Sequence, residues 1–161
     1  YCGDWALRLL LATLAMTPLR RLTSRSEPIR VRRLLGLWTY FWICLHFTIY
    51  LTFDLEWSPV ALADDLIKRS YITLGFAAWL LLLPLALTST RGWQRRLKRR
   101  WVQLHKLIYP AAALGVLHYI WLVKADLREP LMYLAILLVL LGMRVPWRGI
   151  LRARSLPRSV P

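Results

Sequence analysis

Apolar runs of membrane-spanning length, cut apart by arginine clusters, limit what this chain can fold into. Five runs stand out, at residues 5–19, 34–53, 71–87, 100–123 and 131–143. About 20 apolar residues in a helix span the hydrocarbon core of a bilayer, and the first run is short for that and holds Arg8. The 161 residues are 58% hydrophobic yet carry a formal charge of +15, so charge and apolar surface must be segregated along the chain. The expected fold is an all-α integral membrane protein, a bundle of five transmembrane helices. Pro84 lies inside the third run, where a membrane helix tolerates it, and Pro130 stands at the first turn of the fifth.

The charges predict an orientation. Segments 20–33, 91–106 and 144–158 hold 18 of the 23 Lys and Arg, whereas the opposite loops hold Lys68, Arg69, Lys124 and Arg128. By the positive-inside rule the rich side is cytoplasmic, and the C-terminus lies on that side. The first run then crosses from outside to inside, which together with the absence of an initiator Met predicts a missing first helix and six in the intact protein. Residues 1–146 read as one membrane domain and 147–161 as a basic cytoplasmic tail. Residues 20–33 read as a linker, and residues 54–70 as a polar loop with Pro59 in a turn. The basic clusters serve as topological anchors, and Arg95, Arg96, Lys98, Arg99, Arg100 and Lys106 are also candidates to dock a flavin phosphate or an electron donor. Short basic clusters between apolar runs do not make a nucleic-acid surface. Cys2 and Cys44 have no CxxC spacing, so neither zinc nor a disulfide framework is indicated.

Ionisable side chains inside a membrane are rare and point to function. His46 lies late in the second run and His118 late in the fourth, and both runs cross from inside to outside. The two imidazoles are therefore expected at one depth in the outer half, on separate helices, as bis-histidine ligation of a haem iron requires. Ala111 and Gly115, on roughly the face of His118, would leave room for a flat cofactor, and Trp42 and Tyr50 flank His46 at i−4 and i+4. Candidate partners for haem propionates on the outer side are Arg8, Lys68, Arg69 and Lys124, although Arg8 could equally snorkel to the interface. His105 lies one turn inside the cytoplasmic end of the fourth run, 13 residues before His118, or roughly 20 Å along a continuous helix and about 140° around it. Three roles stay open for His105: an inner haem ligand with a non-histidine partner, a contact for a flavin or quinone, or an interface residue.

The segments IRVRRLLGLWTYFWICLHFTIY (29–50), LALTSTRGWQRRL (85–97), RRWVQLHKLIY (99–109) and LHYIWLVKAD (117–126) resemble the MsrQ (formerly YedZ) family. These are the haem-bearing membrane subunits of bacterial methionine-sulfoxide reductase systems, within the wider ferric reductase-like transmembrane domain. The resemblance runs from about residue 3 to residue 144. It implies six helices in the intact protein, haem b (one, or two) and FMN as cofactors, and His46, His105 and His118 at the family's three histidine positions. It further implies that electrons from the quinone pool or a cytoplasmic flavin reductase pass across the bacterial inner membrane to a periplasmic molybdopterin subunit, MsrP, which reduces methionine sulfoxide in oxidised envelope proteins. The chain would then be an electron-transfer subunit rather than the catalytic one. Relatives with two haems carry two histidines on each of two helices, and this chain has one on the second.

Two other functions compete with an electron conduit. A self-contained metalloreductase or oxidase needs an attached nicotinamide and flavin domain, yet the seven glycines never form GxGxxG. A membrane transporter or assembly factor would use the histidines for metal ions or protons, and would show no haem spectrum.

Overall fold

The computed structural model describes residues 1–25, 27–123 and 125–144, and every regular element among them is helical. Eight α-helices follow in order: α1 (Cys2–Thr23), α2 (Glu27–Phe53), α3 (Pro59–Lys68), α4 (Ser70–Leu87), α5 (Arg91–Leu97), α6 (Arg99–Leu104), α7 (Ile108–Leu122) and α8 (Arg128–Gly142). A 3₁₀ turn, His105–Leu107, joins α6 to α7. The expected 147–161 tail lies outside the described residues.

Helix α1 is the hub. Its Leu7, Leu10, Leu11 and Leu14 are buried against Leu82 and Leu85 of α4, Ile108, Ala111, Ala112 and Val116 of α7, and Tyr133 and Leu137 of α8. Packing is most extensive within two pairs, α1 with α2 and α4 with α7, and much sparser between them. Helix α8 leans on α1 and α7.

The outer faces of these helices are apolar. On α2, Leu34, Leu37, Trp38 and Phe41 form an exposed stripe at helical spacing, and on α8 Leu131, Met132, Ile136, Leu138 and Val139 are exposed. Such continuous apolar surface is untenable in water and suits hydrocarbon. Two segments, Arg30–Phe53 and Ser70–Leu87, are long and apolar enough on their own to cross a membrane.

Several boundaries differ from the sequence reading. The first helix does not stop with the apolar run at residue 19: α1 continues through Pro18 to Thr23 and ends with Ser24 in the left-handed conformation. Pro18 lacks an N–H and so frees the carbonyl of Leu14, and the Arg144 guanidinium donates to that carbonyl instead. The basic segment 20–33 is no open linker, because α2 already starts at Glu27. Pro59 opens α3 rather than a turn: Ser58 caps the helix by accepting from the Ala61 N–H, and Pro59 takes the first helical position. The fourth run is not one helix. Pro110 cannot donate to the carbonyl of Lys106 and crowds it, and the turn just before it tightens to 3₁₀.

Candidate functional site

The two histidine-bearing helices α2 and α7 make no extensive contact, yet they bring their imidazoles close together. The ring centres of His46 and His118 lie 6.3 Å apart with the planes inclined at 68°. Two bonds of about 2 Å from imidazole nitrogen to a first-row metal, plus about 1 Å from each nitrogen to its ring centre, add to about 6 Å. The pair thus has a separation at which both imidazoles could hold one first-row metal ion between them. Among the described residues no group of three or more His, Cys, Asp or Glu is placed to hold a metal ion. Two imidazoles suit an iron whose remaining ligands arrive with a macrocycle.

Each ring is seated on a glycine. A Cβ at Gly3 of α1 would lie 3.5 Å from Cε1 of His46, whereas one at Gly75 of α4 would lie 2.9 Å from Nδ1 of His118. The Nδ1 of His118 lies 2.7 Å from the main-chain oxygen of Tyr71. A carbonyl only accepts, so Nδ1 carries the hydrogen and Nε2 keeps its lone pair free for a metal. The Tyr71 ring lies 6.4 Å from that of His118.

The neighbours named from sequence take different parts. Trp42 stacks on Trp5 at 6.4 Å, and Tyr50 donates to Asp65 rather than toward His46. Ala111 is fully buried in the core and a Cβ at Gly115 would face Leu7, so both small residues let α7 approach α1 instead of lining a slot. Arg8 is exposed, donates through Nε to the Tyr133 hydroxyl at 2.8 Å, and lies over the Trp5 ring. Lys68 pairs with Asp64 at 2.6 Å and Arg69 with Asp65 at 3.3 Å. Lys124 lies outside the described residues.

His105 is not part of the pair. It stacks on Trp101 with ring centres 3.9 Å apart, and its Nε2 lies 3.2 Å from the Thr88 hydroxyl. That hydroxyl spends its hydrogen on the Pro84 carbonyl, so His105 Nε2 is the donor and its Nδ1 holds the lone pair. The ring borders a cavity of about 460 Å³ at the arginine-rich end of the bundle. Arg30, Arg32 and Arg33 of α2 and Arg91 and Gln94 of α5 line it, above a floor that includes Leu10, Leu82, Leu85 and Ile108. Sequence reasoning passed over Arg30, Arg91, Gln94 and Thr88 as site residues, because only the fold brings the ends of α2 and α5 together. Arg95, Arg96, Lys98, Arg99, Arg100 and Lys106 are all exposed, and residues 96–100 line a shallow recess away from this cavity.

A match to the ferric reductase like transmembrane component family covers residues 2–116. A protein of Xanthomonas axonopodis pv. citri named protein-methionine-sulfoxide reductase heme-binding subunit MsrQ is 56% identical over 160 residues, 99% of this chain and 73% of its own length. The chain belongs to the MsrQ family. Like-named proteins of Xanthomonas euvesicatoria pv. vesicatoria, 56% identical over 97% of the chain and 71% of their own length, and of Rhodospirillum rubrum, 53% identical over 89% and 69%, extend the MsrQ likeness. No solved structure matches the chain.

Proposed function

We propose that this chain is a b-type cytochrome of the bacterial inner membrane that carries electrons from the cytoplasmic side to a periplasmic methionine-sulfoxide reductase. One observation carries the reading: the His46 and His118 rings, 6.3 Å apart on two helices that do not pack together, are spaced so that both would hold one haem iron between them. The relatives' name, a heme-binding subunit of such a reductase, supports it. Haem supplies a one-electron iron couple when bound. The protein's part is to present the lone pair of His118 Nε2, to oppose it with His46, and to keep water away with the apolar surfaces of α1, α4 and α7.

In this reading α1, α2, α4, the 3₁₀ turn with α7, and α8 cross the membrane, with the arginine-rich end in the cytoplasm. The cavity beside His105 is the intake, a place for FMN, for a quinone or for a second haem. Its arginines match a phosphate or a propionate, and its apolar floor matches a flat ring. The acceptor is a periplasmic molybdopterin subunit of the MsrP kind, reached from the end where Arg8 and Arg69 lie; with Lys68 and, on the sequence alone, Lys124, these are the proposed propionate partners.

Purified protein carrying His46→Ala or His118→Ala is expected to lose the reduced b-type absorbance bands. Retention of those bands in both variants would overturn the ligation. Haem-to-protein stoichiometry and flavin fluorescence of the wild-type protein then count what the intake cavity holds.

A further inference from the structure

The two proposed iron ligands are held by different means. His118 is fixed at three points: its Nδ1 is 2.7 Å from the Tyr71 carbonyl, its ring lies against Gly75 with no space for a methyl group, and the Tyr71 ring covers it at 6.4 Å. A Cβ at Gly3 would meet His46 only at ordinary contact distance, 3.5 Å, and among the described residues the His46 ring makes no hydrogen bond. We propose that the first turns of α4, through the Tyr71 carbonyl and the bare backbone of Gly75, form a positioning device for His118 that sets its tautomer and tunes the iron potential. The proposal rests on the haem reading above.

The chemistry follows from the hydrogen bond. Donation from Nδ1–H to a carbonyl pushes electron density toward Nε2, which makes the imidazole a stronger donor and favours the ferric over the ferrous iron. The bond therefore holds the midpoint potential down. Gly75 is required because it stands one helical turn after Tyr71, directly below the ring. A side chain there would meet Nδ1 at 2.9 Å, a separation that real Cβ atoms do not adopt, so the ring would have to lift away from the carbonyl. At Gly3 the equivalent distance is 3.5 Å and no such displacement is needed. Gly75→Ala and Gly3→Ala are therefore expected to differ, although each introduces the same methyl group near a ligand imidazole.

Three haem-loaded proteins test this: wild type, Gly75→Ala and Gly3→Ala. Gly75→Ala is expected to raise the midpoint potential and shift the low-spin ferric resonance, with haem affinity about 10-fold to 100-fold weaker; Gly3→Ala stays near wild type. A Gly75→Ala protein with wild-type potential and spectrum would overturn the proposal. A second arm does not depend on how Gly75→Ala folds. In His118→Gly, free imidazole fits the vacated place and donates to the Tyr71 carbonyl, whereas 1-methylimidazole ligates iron but has no N–H to donate. Imidazole is expected to restore the low-spin spectrum at a concentration at least about 10-fold below that of 1-methylimidazole. Equal potency would overturn the positioning role while leaving the ligation intact. If His118→Gly itself keeps the wild-type spectrum, the haem reading fails instead.

Discussion

Arg144 shows how one side chain repairs a fault written into another helix. Pro18 leaves the Leu14 carbonyl without its helical donor, and Arg144 donates to that oxygen through one guanidinium nitrogen and to the Tyr109 hydroxyl through another. The guanidinium also lies over the Tyr109 ring at 5.2 Å. Hydrogen bonds to a charged group contribute about 1.5–3 kcal/mol each. Arg144→Ala is therefore expected to lower stability by about 2–4 kcal/mol, read as a fall in the melting temperature of the protein in detergent. Adding Pro18→Ala restores the N–H that Leu14 lacks, so the double variant should lose less than the sum of its parts. Strict additivity would mean that the carbonyl is satisfied in some other way. Arg144→Lys should recover part of the loss, since one ammonium cannot reproduce the planar fork that serves both acceptors.

At the scale of elements, α3 is the clearest case of a helix held by a few identifiable bonds. Asp65 accepts from the Tyr50 hydroxyl of α2 and pairs with Arg69 at the α3–α4 junction. Asp65→Ala should free α3 and raise amide exchange across residues 59–68 by about 10-fold or more, with the b-type spectrum unchanged because His46 and His118 keep their own supports. Loss of the bands in parallel would mean that α3 supports the histidines themselves and not only, through Lys68 and Arg69, the proposed propionate contacts. The start of α3 was legible in the sequence, in Ser58 followed by Pro59, but a proline among acidic residues reads as readily as a turn. The membrane character and the His46–His118 pairing were legible because apolar run length and depth in a run translate directly into position. The 3₁₀ turn at His105 and the true roles of Ala111 and Gly115 were not. They depend on which neighbour α7 meets, and small residues serve a cofactor slot and close helix packing equally well. The arginine-lined cavity was hidden for a related reason, since Arg30 and Arg91 are distant along the chain and each looks like a simple anchor.

Across the whole molecule the charge segregation makes a topological prediction. Seven of the eight acidic residues, all but Glu27, belong to the proposed outer side, and 18 of the 23 basic residues to the inner side. With the native cysteines replaced by serine, Val60→Cys should react with an impermeant thiol reagent applied to the outer face, and Gln94→Cys only after the membrane is opened. The reverse pattern would invert the proposed direction of electron flow.

The bundle is made of two tightly packed pairs, α1 with α2 and α4 with α7, and His46 stands on one pair while His118 stands on the other. An iron held by both would rivet the pairs together across the seam where their own packing is thinnest. A ligand that binds only the joined state stabilises it in proportion to its affinity, so loading and assembly become one event. Cells starved of haem precursors should then hold little of this protein, its halves parted and open to membrane proteases, while supplementation restores its abundance before any reductase activity is asked of it. The seam makes the chain its own inspector, since a copy without its metal would be cleared before it could sit idle in the membrane and compete for the partner.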